Sequence, residues 1–148
     1  MSEELYMREA LRLAREAAAE GDEPYGAVLV KDGEIVSRGK NRIHTMNDPT
    51  AHSEIMAMRT YCMEHGTKDL SECTLYTSCE PCFMCSACIV RVKLKKLVYA
   101  ACEADCAALE GHSVYDSCQW IFERSMHQPE VVAGFMKEEG MALLKEFM

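Results

Sequence analysis

The sequence reads as an α/β protein in which one sheet is covered by helices on both faces. Three observations carry that reading. Short apolar runs alternate along the chain with longer segments of helical apolar spacing. The first two runs are joined at Asp32-Gly33, a favoured two-residue hairpin turn. Roughly half of the 148 residues are apolar, enough for one domain spanning residues 1–148 to bury a core.

The elements follow in order. Met7, Ala10, Leu11, Ala14, Ala17 and Ala18 recur at helical spacing, which predicts an amphipathic helix over residues 2–20. Residues 26–30 and 34–39 read as the two strands of the hairpin. Asp48-Pro49-Thr50 has the chemistry of a helix start, with proline in the first turn, and predicts a helix over 51–64. A short strand is expected over 74–78, then a helix from Pro81 to 92 and a strand over 97–101. Residues 115–124 read as helix, 130–133 as a last strand and 137–147 as a last helix. The chain shows no repeat and no low-complexity segment.

Bulk properties narrow the function classes. No apolar run reaches the length of a membrane span, and the N-terminus is acidic where a signal peptide is basic. The expectation is a cytoplasmic protein with no membrane partner. Nine cysteines, an odd number with a tight C-x-x-C cluster, argue for reduced thiols and against a disulfide framework. A net charge of −8 disfavours a large nucleic-acid footprint. The single basic stretch, Arg91-Val92-Lys93-Leu94-Lys95-Lys96, reads as a solvated helix-to-strand turn.

Two segments carry the chemistry: Thr50-Ala51-His52-Ser53-Glu54 and Glu80-Pro81-Cys82-Phe83-Met84-Cys85. Together they supply one imidazole, two thiols and one carboxylate. His52, Cys82 and Cys85 make a three-ligand zinc set, one Zn²⁺ per chain, with the fourth tetrahedral position open for water. Cys82 and Cys85, three apart in a first helical turn, share one face there, where free N–H groups favour thiolate. His52 is expected in the first turn of its own helix. Both helix starts can then meet over strand ends, where open α/β sheets place ligands. Glu54 is offset by two residues from His52 and is left free for proton transfer. The metal would lower the pKa of its water toward about 7.

A rival reading takes Cys79, Cys82, Cys85 and Cys88, a C-x2-C-x2-C-x2-C run, as an iron–sulfur or structural metal module. It leaves Thr50 to Glu54 unexplained. The remaining cysteines, Cys62, Cys73, Cys102, Cys106 and Cys118, are read as small buried residues, as are Cys79 and Cys88. His44, His65, His112 and His127 are read as surface or loop residues, with His44 the possible exception because it lies near Asn41. Trp120 and Phe147 are candidates to cap a pocket, with core or dimer-interface roles as the alternative.

Pro24-Tyr25-Gly26-Ala27-Val28, Gly39-Lys40-Asn41, the run Asn47 to Glu54 and the run Leu75 to Cys85 together resemble the cytidine-deaminase-like superfamily. The likeness extends from about residue 4 to residue 147. The wording is similar to the branch of guanine deaminases, free-cytosine deaminases and tRNA adenosine deaminases. Tyr25-Gly26-Ala27 and Thr77-Ser78-Cys79-Glu80-Pro81-Cys82 stand nearest to guanine deaminases. The resemblance implies a three-layer α/β/α fold on a mixed five-stranded sheet, zinc, a homodimer and hydrolytic removal of an exocyclic amine. It implies that Asn41 hydrogen-bonds the carbonyl or ring edge of the substrate and that Tyr25 packs on the base. Ser53 is a further candidate substrate contact, and Asp105 and Asp116 are candidates to grip a guanine-like amine. The expected partner is a small nucleobase, guanine first. Cytosine, a triazine, a nucleoside or a tRNA adenosine are the alternatives. The tRNA branch usually carries a basic C-terminal extension; here the last helix is neutral to acidic, so tRNA is not expected. Arg91 is expected to face solvent; reaching the pocket, it would favour a further carbonyl or a phosphate instead.

Overall fold

The computed structural model describes residues 2–147. The first helix, α1 (Glu3–Ala19), starts where the periodicity put it, with the Ser2 side chain accepting from the Leu5 N–H at 3.4 Å. Strands β1 (Gly26–Lys31) and β2 (Glu34–Lys40) form the hairpin. Asp32 and Gly33 both take positive φ, 52° and 75°, as a two-residue turn of this twist requires. Then follow α2 (Ser53–His65), β3 (Thr74–Cys79), α3 (Phe83–Arg91) and β4 (Lys96–Ala101). The chain continues through α4 (Glu103–Leu109), α5 (Cys118–Glu123), β5 (Glu130–Ala133) and α6 (Lys137–Glu146).

The five strands form one mixed sheet in the order β2-β1-β3-β4-β5. β1 runs antiparallel to both β2 and β3, while β3, β4 and β5 are parallel. Alternating residues of the strands face opposite layers. Ala27, Leu29, Leu75, Leu97 and Tyr99 pack with α2, α3 and α5 through Met58, Ile89 and Phe122. Val28, Val30, Tyr76, Val98 and Ala100 pack with α1 and α6 through Met7, Ala10 and Leu143. This is the expected three-layer α/β/α arrangement.

Three expectations are corrected. The α4 helix stands where no element is expected; only Ala107 of it is buried, so it has no apolar stripe to detect. The helix expected over 115–124 shortens to α5, because Ser117 takes an extended N-cap conformation. The helices expected from 51 and 81 begin at Ser53 and Phe83. His52 and Cys82 are therefore N-cap residues with extended backbone (ψ 153° and 178°), and neither side chain is spent on capping. Arg91 is exposed at the end of α3, and the basic run after it turns into β4 through Lys93 at φ 58°.

Because β1 is antiparallel to β3, the start of β1 lies at the same end of the sheet as the ends of β2, β3 and β4. Tyr25, Asn41, Ser78 to Cys82 and Glu103 converge there. Two close approaches of backbone make the end compact. A Cβ on Gly39 would collide with the Ser53 carbonyl and with the Ala57 nitrogen at 2.5 Å. A Cβ on Gly26 would collide with the Ala10 carbonyl. Both positions need hydrogen in place of a side chain.

Candidate active site

His52 projects from the residue before α2, Cys82 from the residue before α3, and Cys85 from the first turn of α3. His52 Nδ1 lies 3.6 Å from the sulfur of Cys82 and 3.6 Å from that of Cys85. Tetrahedral bonds of about 2.3 Å to sulfur and about 2.0–2.1 Å to nitrogen place S and N about 3.5–3.6 Å apart. The three donor atoms lie within 4.8 Å of one another, so they fit a single zinc ion and leave one position open. The hydrogen bond from the Cys85 thiol, with His52 beside it, pulls the Cys82 thiol down to about 4 against its burial. The same bond, together with burial, pushes the Cys85 thiol up. The pair thus holds its protons unequally, and a divalent metal bound there would displace the one that Cys85 keeps.

The group opens onto a cavity of about 230 Å³. That is below the ~300–1,000 Å³ of pockets for drug-sized ligands, and suits a single ring system. Tyr25, Asn41, His52, Ser53, Glu54, Ser78, Cys79 and Cys82 line it, with the acids Glu23, Glu80 and Glu103 and the apolar Ile43.

Glu54 is buried, 6% exposed, and burial pushes its carboxyl upward, opposed by the hydrogen bond from Ser53. The Ser53 hydroxyl donates to Glu54 Oε1 at 2.7 Å. Ser53 thus orients Glu54 as well as lining the cavity. Asn41 is also buried, at 2% exposed. Its Oδ1 accepts from the backbone N–H groups of Glu23 and Ile43, at 3.3 and 3.2 Å. Its backbone N–H donates to the Tyr25 carbonyl at 3.0 Å. With its oxygen so held, the side-chain amide nitrogen is the group Asn41 presents to the cavity. Tyr25 packs against the small cluster of Cys79, Ala101 and Leu144, and its hydroxyl is pushed up by burial.

The cytidine and deoxycytidylate deaminase zinc-binding region, as a family model, matches residues 1–101. The chain belongs to that family. It is 45% identical over 108 residues to the guanine deaminase of Bacillus subtilis (strain 168), covering 72% of this chain and 69% of that protein. It is 36% identical over 147 residues to the tRNA-specific adenosine deaminase of the same organism, covering 98% and 88%. A solved tRNA:A34 deaminase, studied for A-to-I editing at the wobble position, superposes with a TM-score of 0.81 at 34% identity. That match covers 94% of this chain and 98% of the other. The protein is accordingly a zinc aminohydrolase of the deaminase family, with the fold of its solved neighbours.

Within this deaminase the structure brings together Tyr25, Asn41, His52, Ser53, Glu54, Cys82 and Cys85. Two expected contacts do not reach the cavity. Asp105 pairs with Lys137 at 3.1 Å. Asp116 accepts from the Phe83 N–H at 3.2 Å and so satisfies the start of α3. Trp120 is half exposed outside the cavity, with Phe83 at 5.6 Å between ring centroids and Arg124 over its face at 4.1 Å. Phe147 is exposed and also does not line it. His44 meets Glu23 at 3.2 Å at the rim. The iron–sulfur reading is set aside, because Cys79 lies on β3 with its sulfur 3.4 Å from Glu103, and Cys88 packs against the core.

Glu80, Glu103 and Glu23 were missed as cavity residues. Glu80 adjoins Pro81-Cys82 and is legible in hindsight. Its Oε1 accepts from the Glu103 N–H at 3.1 Å and its Oε2 from the Cys118 N–H at 3.0 Å. Glu103 begins the helix that the sequence hid.

Proposed function

We propose that this deaminase acts on a free nucleobase, guanine in the first place, and converts its exocyclic amine to a carbonyl with release of ammonia. One observation carries the choice. Among the described residues, the cavity is lined by four carboxylate side chains and no lysine or arginine. A phosphorylated substrate would put its anion against like charge there, whereas a donor-rich base such as guanine offers N–H groups to it. The exposed position of Arg91 and the identity to a guanine deaminase support the same reading.

His52, Cys82 and Cys85 are assigned as the zinc ligands. Bound there, zinc supplies the Lewis acidity that makes water nucleophilic at neutral pH. The remaining work belongs to the chain. The Asn41 amide nitrogen donates to the six-position carbonyl of guanine and sets carbon two toward the metal. Tyr25 packs beside the ring. Glu54, with Oε1 held by Ser53, uses its other oxygen to take the two protons of the water one after the other. It returns one proton to the ring nitrogen next to the reacting carbon and one to the departing amine. Guanine and water give the dioxo-purine and ammonia, so the atoms balance.

The second reading, a tRNA adenosine as substrate, is favoured by the full-length likeness to a tRNA-specific adenosine deaminase. Ammonia release from guanine, cytosine, guanosine, an ammeline-type triazine and a tRNA anticodon stem-loop separates the two. The expected result is the highest kcat/KM for guanine. Turnover of the stem-loop without turnover of any free base would replace the first reading by the second.

A further inference from the structure

Of the four acids on the cavity wall, three have work to do. Glu54 transfers protons in the proposed reaction. Both oxygens of Glu80 are occupied by backbone N–H groups of Glu103 and Cys118. Glu23 is exposed and faces His44. Glu103 is different. It is partly buried on the wall, and Oε1 has the Cys79 thiol at 3.4 Å. A thiol is a weak donor. Among the described residues no Lys, Arg or His forms an ion pair with Glu103, while Asp105, two residues on, has taken Lys137. The backbone of Glu103 is pinned by Glu80 at 3.1 Å, so the carboxylate is delivered to the wall from a fixed point. Burial pushes its carboxyl upward, as expected for an acid short of donors.

Guanine has a limited set of donors. Its donors are the amine, which leaves, the ring N–H between the reacting carbon and the six-carbonyl, which belongs to the reacting edge that Glu54 and Asn41 face, and the imidazole N–H. Only the last lies away from the reacting edge. We propose that Glu103 accepts the imidazole N–H of the bound base and thereby makes the enzyme select free bases over nucleosides. In a nucleoside that nitrogen carries the sugar, so the carboxylate would be desolvated without a partner. A site built on such a hydrogen bond rejects the analogue that lacks it. The assignment rests on the guanine reading and adds the residue that sets the substrate class.

The test compares guanine with 9-methylguanine, which keeps the reacting edge and has no imidazole N–H. Wild type, Glu103→Ala and Glu103→Gln are assayed, each with its zinc content measured. The wild type should prefer guanine by roughly 10- to 100-fold in kcat/KM, the span of one charged hydrogen bond. Glu103→Ala should lower guanine turnover toward the 9-methylguanine level and bring the ratio near one, with zinc retained. Glu103→Gln keeps the bulk and a neutral acceptor, so its ratio should fall between the two. Equal losses on both substrates would mark a merely structural residue and overturn the proposal. So would a collapse of the ratio in the alanine variant with a wild-type ratio in the glutamine variant, since that is steric relief. A wild type inactive on guanine defeats the substrate reading itself, and this inference with it, before any variant is compared.

Discussion

Glu54 and Ser53 show how two adjacent side chains divide one task. The Glu54 carboxyl is buried, which favours its neutral form, and the Ser53 hydroxyl at 2.7 Å favours the charged one. A proton shuttle needs both forms within reach. Glu54→Gln preserves size and packing but ends proton transfer, so turnover should fall about 10²–10⁴-fold while zinc content stays at one per chain. Ser53→Ala frees Oε1 without removing the acid and should cost less, on the order of tenfold. Zinc analysis alongside steady-state rates checks both. Undiminished turnover in Glu54→Gln would take the shuttle away from this residue. The metal set and the acid beside it were legible in the sequence because their spacing is local: His52 and Glu54 are two apart, Cys82 and Cys85 three. Asp105 and Asp116 were candidates only through proximity in sequence to the right segment, and neither is among the residues that line the cavity. Lys137 and the Phe83 N–H claim them instead, and both partners are distant along the chain.

The site stands on the way α2 is seated against β2. Gly39 lets the first turn of α2 lie directly on the strand, where a Cβ would meet the Ser53 carbonyl and the Ala57 nitrogen. Ser37 reinforces the contact by donating to the Ala57 carbonyl at 2.7 Å. Since α2 carries Glu54 and follows His52, any shift there moves ligand and acid together. Gly39→Ala should destabilise the protein by about 1–3 kcal/mol, the range for overpacking, and lower activity beyond what the lost stability explains. Thermal unfolding measured beside kcat on the folded fraction checks this; a variant of wild-type stability and rate would mean that the backbone yields. Element existence was readable where burial gives a period, as in α1 and the β1–β2 hairpin. It failed at α4, whose seven residues bury only Ala107 and hence print no stripe. The starts of α2 and α3 were misread by two residues because His52 and Cys82 stand in cap positions. Neither is a usual capping residue, and sequence signals for a start rely on Ser, Thr, Asp or Asn.

At the scale of the molecule, the proposed zinc set ties the two helix starts that meet over one end of the mixed sheet. His52 belongs to the β2–α2 connection, whereas Cys82 and Cys85 belong to the β3–α3 connection. An ion bound to the folded chain alone adds its binding free energy to folding, about 2.7 kcal/mol when free metal is 100-fold above Kd. For a chain of about this size 1 kcal/mol moves Tm by roughly 2–4 °C, so stripping zinc should lower Tm by about 5–10 °C. Rebinding should release protons, because Cys85 holds its own in the metal-free state. The increment should be absent from Cys82→Ser and Cys85→Ser, whose Tm should already match that of the stripped wild type and not respond to a chelator. Glu54→Gln should keep the full response, since the carboxylate is not a ligand. A calorimetric scan of the four proteins with and without chelator decides the matter. A chelator effect of equal size in wild type and both cysteine variants would place the stabilising metal elsewhere in the chain.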